Sequence, residues 1–211
     1  MSIEATEQVV RTIAETAIEN EKYFGDLDSV VGDGDFGYSL ARGFEKLLES
    51  WADLDRSNSG TFLKRTGMVI ASRIGGTSGP IWGTAFIRAG AAAGDAEVDG
   101  DLVVAMLRAA IDGIKTRGQS DVGDKTLLDT LVPMTDRLAA ELGNGASPEE
   151  AIRAAAATAR ETADATSGMV AKRGRAAYTG ERSRGSVDAG ATAVAVIAER
   201  ISETWKQGAA S

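Results

Sequence analysis

The sequence predicts an all-α fold, about eight amphipathic helices in a single domain spanning residues 1–211. Three observations carry that expectation. Apolar residues recur at helical spacing in eight separate segments, no segment alternates convincingly as a strand, and glycines gather at four places between the helical segments. Glycine accounts for 25 residues, and each cluster mixes it with Asp, Ser, Thr or Arg. Loops of that kind, converging at one end of a helical bundle, build ligand sites.

The helices follow in order. Val10, Ile13, Ala14, Ala17 and Ile18 form the stripe of a first helix over Ile3 to Glu21. Gly43, Phe44, Leu47, Leu48 and Trp51 mark a second, starting near Phe36, and a third runs from about Thr61 to Arg73. A fourth follows Pro80, a residue suited to a first helical turn because its missing N–H costs nothing there. Leu102, Val103, Met106, Leu107, Ala110 and Ile114 define a fifth; Leu127, Leu128, Leu131, Met134 and Leu138 define a sixth. Ser147-Pro148-Glu149-Glu150 reads as a capping box that opens an Ala-rich seventh. The eighth carries Ala191, Val194, Ile197, Ala198 and Ile201. The many alanines imply helices that approach closely, and Trp51, Trp82 and Trp205 fall on apolar faces as core residues. No internal repeat or linker interrupts the chain.

Composition narrows the chemistry. There are no cysteines and no histidines, so thiolate metal sites, a cysteine nucleophile, Ser-His-Asp catalysis and histidine ligation are excluded within the chain. A metal would be held by oxygen, which favours Mg²⁺, Mn²⁺ or Ca²⁺. The net charge of −8 and the lack of a basic run argue against nucleic acid as a partner. The longest uncharged stretch, Ile74 to Ile87, is too short and too rich in glycine to span a bilayer. The opening residues lack the pattern of a signal peptide, so no membrane partner and a cytoplasmic setting are expected.

Four segments carry candidate chemistry. Leu27 to Gly37 holds Asp28, Asp33 and Asp35, three carboxylates that repel one another when held together unless a cation intervenes. The segment lacks the glutamate of an EF-hand loop, and an acidic turn capping the second helix accounts for the same residues. Gly75 to Pro80 offers glycines, Thr77 and Ser78 at a helix entrance, where amides attract phosphate; without a following Lys it is no Walker A loop. In Arg117 to Thr126, Asp124 has a simpler role as the cap of the sixth helix. Lys172 to Gly185 is the one basic concentration and leads to Asp188-Ala189-Gly190, which suits the cap of the last helix. Arg within it can clamp phosphate.

In this order and at these distances, the four segments resemble the ADP-binding L subunit family of bacterial dihydroxyacetone kinases. The resemblance covers roughly Leu27 to Ile197 and rests on Gly32-Asp33-Gly34-Asp35, Gly75 to Pro80 with Gly83-Thr84, Gly123 to Thr126, and Gly174 to Thr192. It implies a barrel of eight antiparallel helices with the nucleotide, ADP or ATP, on the loops at one end. It implies that Asp28, Asp33 and Asp35 hold two Mg²⁺ ions. Phe36, Gly37, Tyr38, Ser39, Thr77 and Ser78 fall on phosphate-contacting positions, and Gly118 and Leu127 on adenine-pocket positions. Arg175 falls on a nucleotide-contacting arginine, and Asp188, Ala189 and Gly190 on the last nucleotide-contacting turn. No catalytic acid or base is assigned.

Three positions depart from the family pattern. Phe36 and Ser186 stand where histidine is usual, and Ala189 where proline is usual. The resemblance also implies a separate K-type subunit that holds the keto sugar through a histidine, a role that a chain without histidine leaves to its partner. The acceptor is dihydroxyacetone or a related short ketose such as erythrulose. The donor is ATP or a phosphocarrier of the sugar phosphotransferase system. A homodimer is compatible with it. The alternatives are the ATP-binding domain of a fatty-acid kinase, which shares an Asp-Gly-Asp loop, and a nucleotide-binding regulator that docks on a transcription factor.

Overall fold

Nine α-helices form among the residues described by the computed structural model, 2–73 and 78–205, and none of these residues lies in a strand. The helices are α1 (Ile3–Glu19), α2 (Glu21–Ser29), α3 (Phe36–Glu49), α4 (Ser59–Arg73), α5 (Ser78–Ala93), α6 (Gly100–Gly118), α7 (Leu128–Gly143), α8 (Pro148–Ala165) and α9 (Ala189–Thr204). Local chemistry sets several starts. The Ser2 hydroxyl accepts from the Ala5 amide, and Asp99 Oδ1 accepts from Leu102 at 2.8 Å. The capping box expected at Ser147 is present. Ser147 Oγ accepts from the Glu150 amide at 3.3 Å, and the Glu150 carboxylate accepts from the Ser147 amide at 2.9 Å.

The long helices pack in a closed ring. α1 lies on α3, α3 on α4, α4 on α5, and so on around to α9, which returns to α1. Neighbours joined by short connections run antiparallel, so every second connection falls at the same end. The α2–α3, α4–α5, α6–α7 and α8–α9 connections share one end of the barrel. The α3–α4, α5–α6 and α7–α8 connections share the other with the start of α1 and the close of α9.

Inside the ring, Phe44 of α3 meets Trp82 and Phe86 of α5 edge to face, with ring centroids 6.3 and 6.4 Å apart. Burying a side chain such as Phe44 contributes about 1.5–3 kcal/mol. The alanines do what close approach requires: Ala159 and Ala163 of α8 interlock with Ala191 and Ala195 of α9. Arg160 then spans the same helix pair, meeting Glu199 with two parallel hydrogen bonds of 2.8 and 2.7 Å. Trp82 is buried and Trp51 packs edge-on against Phe62, as expected of core residues, while Trp205 sits half-buried just past α9.

All eight expected helices are present, and the ninth is the short α2. The first helix was expected to reach Glu21, but it stops at Glu19 and the chain turns at Asn20. α2 buries only Phe24, so it has no apolar stripe for periodicity to detect. The consequence is functional: Asp28, which reads in the sequence as part of a loop, belongs to the last turn of a helix. No helix among the described residues is long and apolar enough to cross a membrane.

Candidate functional site

Two glycines build the acidic corner. Gly37, in the first turn of α3, lies against α2. A Cβ there would overlap the Glu21 carbonyl oxygen and lie 2.6 Å from the Gly25 amide nitrogen. Only glycine permits this approach, and it brings the end of α2 beside the start of α3. Gly32 does the same service within the connection, where any side chain would overlap the Asp28 carboxylate. The result is that Asp28, Asp33 and Asp35 each present an oxygen within 4.8 Å of the others. It is the only such acidic cluster among the described residues. Asp35 occupies the cap position of α3 without making a side-chain cap bond; the Phe36 amide donates to Asp28 Oδ2 at 3.4 Å instead.

The corner forms one wall of a cleft of about 480 Å³ at the loop end of the barrel. Ile81 of α5, Ile114 of α6 and Leu127 before α7 form an apolar wall, continuous with buried Ile111 and Leu128. The α8–α9 connection supplies the third side. Its Arg175 forms an ion pair with Asp33 and approaches Asp35 Oδ2 at 3.3 Å. Asp188 closes the cleft at the start of α9 and caps that helix, accepting from the Ala191 amide at 2.7 Å. Burial pushes the Asp188 carboxyl up to about 6; the Ala191 amide opposes this, Asp129 and Asp28 reinforce it, and Lys125 opposes it. The donor set at the corner is all carboxylate oxygen, which fits a hard divalent cation. Three crowded negative charges beside one arginine also leave room for more positive charge.

Most sequence-predicted residues converge. Asp28, Asp33, Asp35, Phe36, Ser39, Ser78, Gly118, Leu127, Arg175, Asp188, Ala189 and Gly190 all line the cleft. Gly37 and Tyr38 do not. Gly37 is buried beneath α2, and Tyr38 is exposed, with Arg42 over its ring at 5.2 Å. Thr77, with Gly75 and Gly76, lies outside the described residues. Asp124 does not cap the sixth expected helix, now α7. That helix starts at Leu128, and Asp124 instead pairs with Arg173 at 3.0 Å. The bracing role falls to Asp129, whose two oxygens accept from the amides of Gly123 and Thr126.

A family model described as the DAK2 domain matches residues 30–203. The chain belongs to that family. This DAK2 domain is 37% identical over 187 residues to "PEP-dependent dihydroxyacetone kinase, ADP-binding subunit DhaL" of Escherichia coli (strain K12), covering 88% of this chain and 89% of that one. It is 36% identical over 194 residues to "D-erythrulose kinase" of Mycolicibacterium smegmatis, covering 90% of this chain but only 33% of that one. The crystal structure of the dihydroxyacetone kinase of C. freundii in complex with AMP-PNP and Mg²⁺ superposes with a TM-score of 0.74 at 25% identity, over 94% of this chain and 33% of that one. The native form of that kinase gives a TM-score of 0.76. The DAK2 domain thus spans about a third of the erythrulose kinase and of the C. freundii kinase.

Sequence reasoning missed part of the DAK2 cleft. Arg117, at the end of α6, and Lys125, in the α6–α7 turn, both line it. Arg117 was visible as a basic residue beside Gly118. Lys125 stands inside the Gly123 to Thr126 stretch that carries the resemblance, but no role falls to it there, because a lone lysine in a glycine-rich turn reads as solvated. Trp82 serves both the core and the cleft.

Proposed function

We propose that this chain is the Mg-nucleotide-binding subunit of a dihydroxyacetone-type kinase, taking part in phosphoryl transfer to a short ketose held by a separate K-type subunit. The observation that carries the reading is the meeting of the Asp28, Asp33 and Asp35 corner with Arg175 across a cleft that also has an apolar wall. A nucleotide needs those three environments together: a metal site, a cation for phosphate and a flat apolar pocket for the base.

Asp28, Asp33 and Asp35 are the metal ligands in this reading, which takes two Mg²⁺ ions. When bound, Mg²⁺ neutralises charge on the phosphates as it builds during transfer. The N-terminal end of α3, whose Phe36 and Ser39 line the cleft, receives the phosphates in this reading, together with Ser78; Thr77 is assigned to the same phosphates from the sequence alone. The guanidinium of Arg175 orients the terminal phosphate. Gly118, Ile81, Ile114 and Leu127 receive the adenine, and the Asp188-Ala189-Gly190 turn closes the cleft beside it. The chain contributes positioning and charge, with no acid or base of its own assigned.

The acceptor arrives from outside. Val30, Tyr38, Val122 and Tyr178 are large exposed side chains, each one or two residues along the chain from a position that lines the cleft mouth. We place the K-type subunit there and the complex in the cytoplasm. The donor is ATP, or a phosphocarrier that recharges resident ADP; relatives named PEP-dependent make the second arm worth testing.

The test is reconstitution. The purified chain with Mg-ATP should phosphorylate neither dihydroxyacetone nor erythrulose. Adding a K-type subunit, with the phosphocarrier and phosphoenolpyruvate in a parallel arm, should restore turnover in one arm. Failure in both arms, or full activity of the isolated chain, would refute the subunit reading.

A further inference from the structure

Among the described residues, Lys125 is the only buried basic side chain, at 2% exposure. It sits in the left-handed backbone region, with φ of 61°, where a side chain other than glycine is uncommon. No carboxylate forms a salt bridge with it among the described residues. Its ammonium instead donates to three backbone carbonyls: Met169 at 3.3 Å, Ser183, and Ser186 at 2.7 Å. An ammonium has three N–H donors, and here each finds an acceptor.

These carbonyls belong to one structure, the arm of residues 169–186 that leaves the barrel after α8 and returns before α9. Met169 is at its root, and Ser183 and Ser186 are at its return. Lys125 therefore draws the two ends of the arm together from a different connection, which cuts the freedom of everything between them. Its neighbour Asp124 assists. The Asp124 carbonyl accepts from the Lys172 amide at 3.0 Å, and its carboxylate pairs with Arg173. Arg175 is two residues further along the arm.

We infer that Lys125 is a positioning residue that staples the 169–186 arm shut, so that Arg175 stands over Asp33 and Asp35. The inference rests on the nucleotide-site reading of Arg175, but half of its test does not. A buried lysine that only filled space would alter global stability. A staple alters the order of the arm and acts on nucleotide only through Arg175.

The test uses Lys125→Met, Lys125→Arg, Arg175→Ala and the two doubles, in the full chain. A planar guanidinium cannot aim donors at three converging carbonyls, so Arg should fail as Met does. Hydrogen exchange of arm amides such as Ala171, Lys172 and Gly185, each bonded in the structure, should speed up about tenfold in either single variant at Lys125. Exchange in α3 and α4 should stay as in the parent. Calorimetry should show Mg-ADP affinity falling about tenfold. The loss should vanish when Arg175 is already Ala, since a cycle between coupled residues is not additive. Unchanged arm exchange, or losses that multiply in the doubles, would overturn the proposal. If Met at 125 prevents folding, the Arg variant carries both comparisons. If the parent itself does not bind Mg-ADP, the nucleotide reading fails, and arm exchange still decides the staple.

Discussion

The Phe36 amide that opens α3 donates to the Asp28 carboxylate, a residue eight positions back on another helix, and not to Asp35 beside it. The acidic corner is therefore tied together across two helices, with Asp33 and Asp35 left facing the cleft and Arg175.

That arrangement separates a metal site from a capping turn. Asp33→Asn preserves shape and would be an equal helix cap, but it weakens a hard oxygen ligand. Mg-ADP affinity, measured by calorimetry, should fall by about tenfold or more. Stabilisation of the chain by Mg-ADP should shrink with it. Without ligand the melting temperature should hold within about 2 °C, because the exposed pair with Arg175 contributes little. Equal affinities in parent and variant would remove Asp33 from the site.

Gly37→Ala tests the seat on which α3 rests. The added methyl meets the Glu21 carbonyl and the Gly25 amide, both backbone, so α2 must move away. Overpacking of this kind costs about 1–3 kcal/mol, a loss of several degrees in the melting temperature. Displacing α2 also carries Asp28 away from Asp33 and Asp35, so Mg-ADP affinity should drop although residue 37 lies outside the cleft. Parent-like melting and affinity together would show that α2 is not held by this contact.

Asp188 gives a pH signature. Its native carboxyl titrates at about 6, above the ordinary 3.8, chiefly because burial penalises the charge. The native state thus holds this proton more tightly than the unfolded chain. The resulting stability is complete below pH 4 and is lost as pH rises through 6. Asp188→Asn keeps an acceptor for the Ala191 amide and carries no charge. In chelator and without nucleotide, its melting temperature should match the parent near pH 4 and exceed it by several degrees at pH 7.5, equivalent to about 1–3 kcal/mol. A difference independent of pH would show that Asp188 titrates normally.

The barrel was legible in the sequence because eight helices each expose a repeating apolar face to one core. α2 was not, since a nine-residue helix burying only Phe24 has no period to read. The three aspartates were legible as a cluster because they lie within eight residues of one another. Their dependence on Gly37 was not, because the residue that Gly37 must accommodate is sixteen positions earlier and on another helix. The bonds of Lys125 were hidden for the same reason: its three partners lie 44 to 61 residues away, and their carbonyls belong to the backbone, which has no sequence signature. Asp124 was misread as a cap because an Asp shortly before a helix usually is one; its arginine partner is 49 residues distant.

The alternation of loops around the ring has a practical outcome. α1 begins and α9 finishes at the end of the barrel opposite the cleft, about one helix length away, which for the sixteen residues of α9 is roughly 24 Å. Ser2, which caps α1, and Trp205, which follows α9, are thus on the face turned away from ligand. The molecule can therefore be anchored to a sensor surface through that face while its mouth stays open to solution.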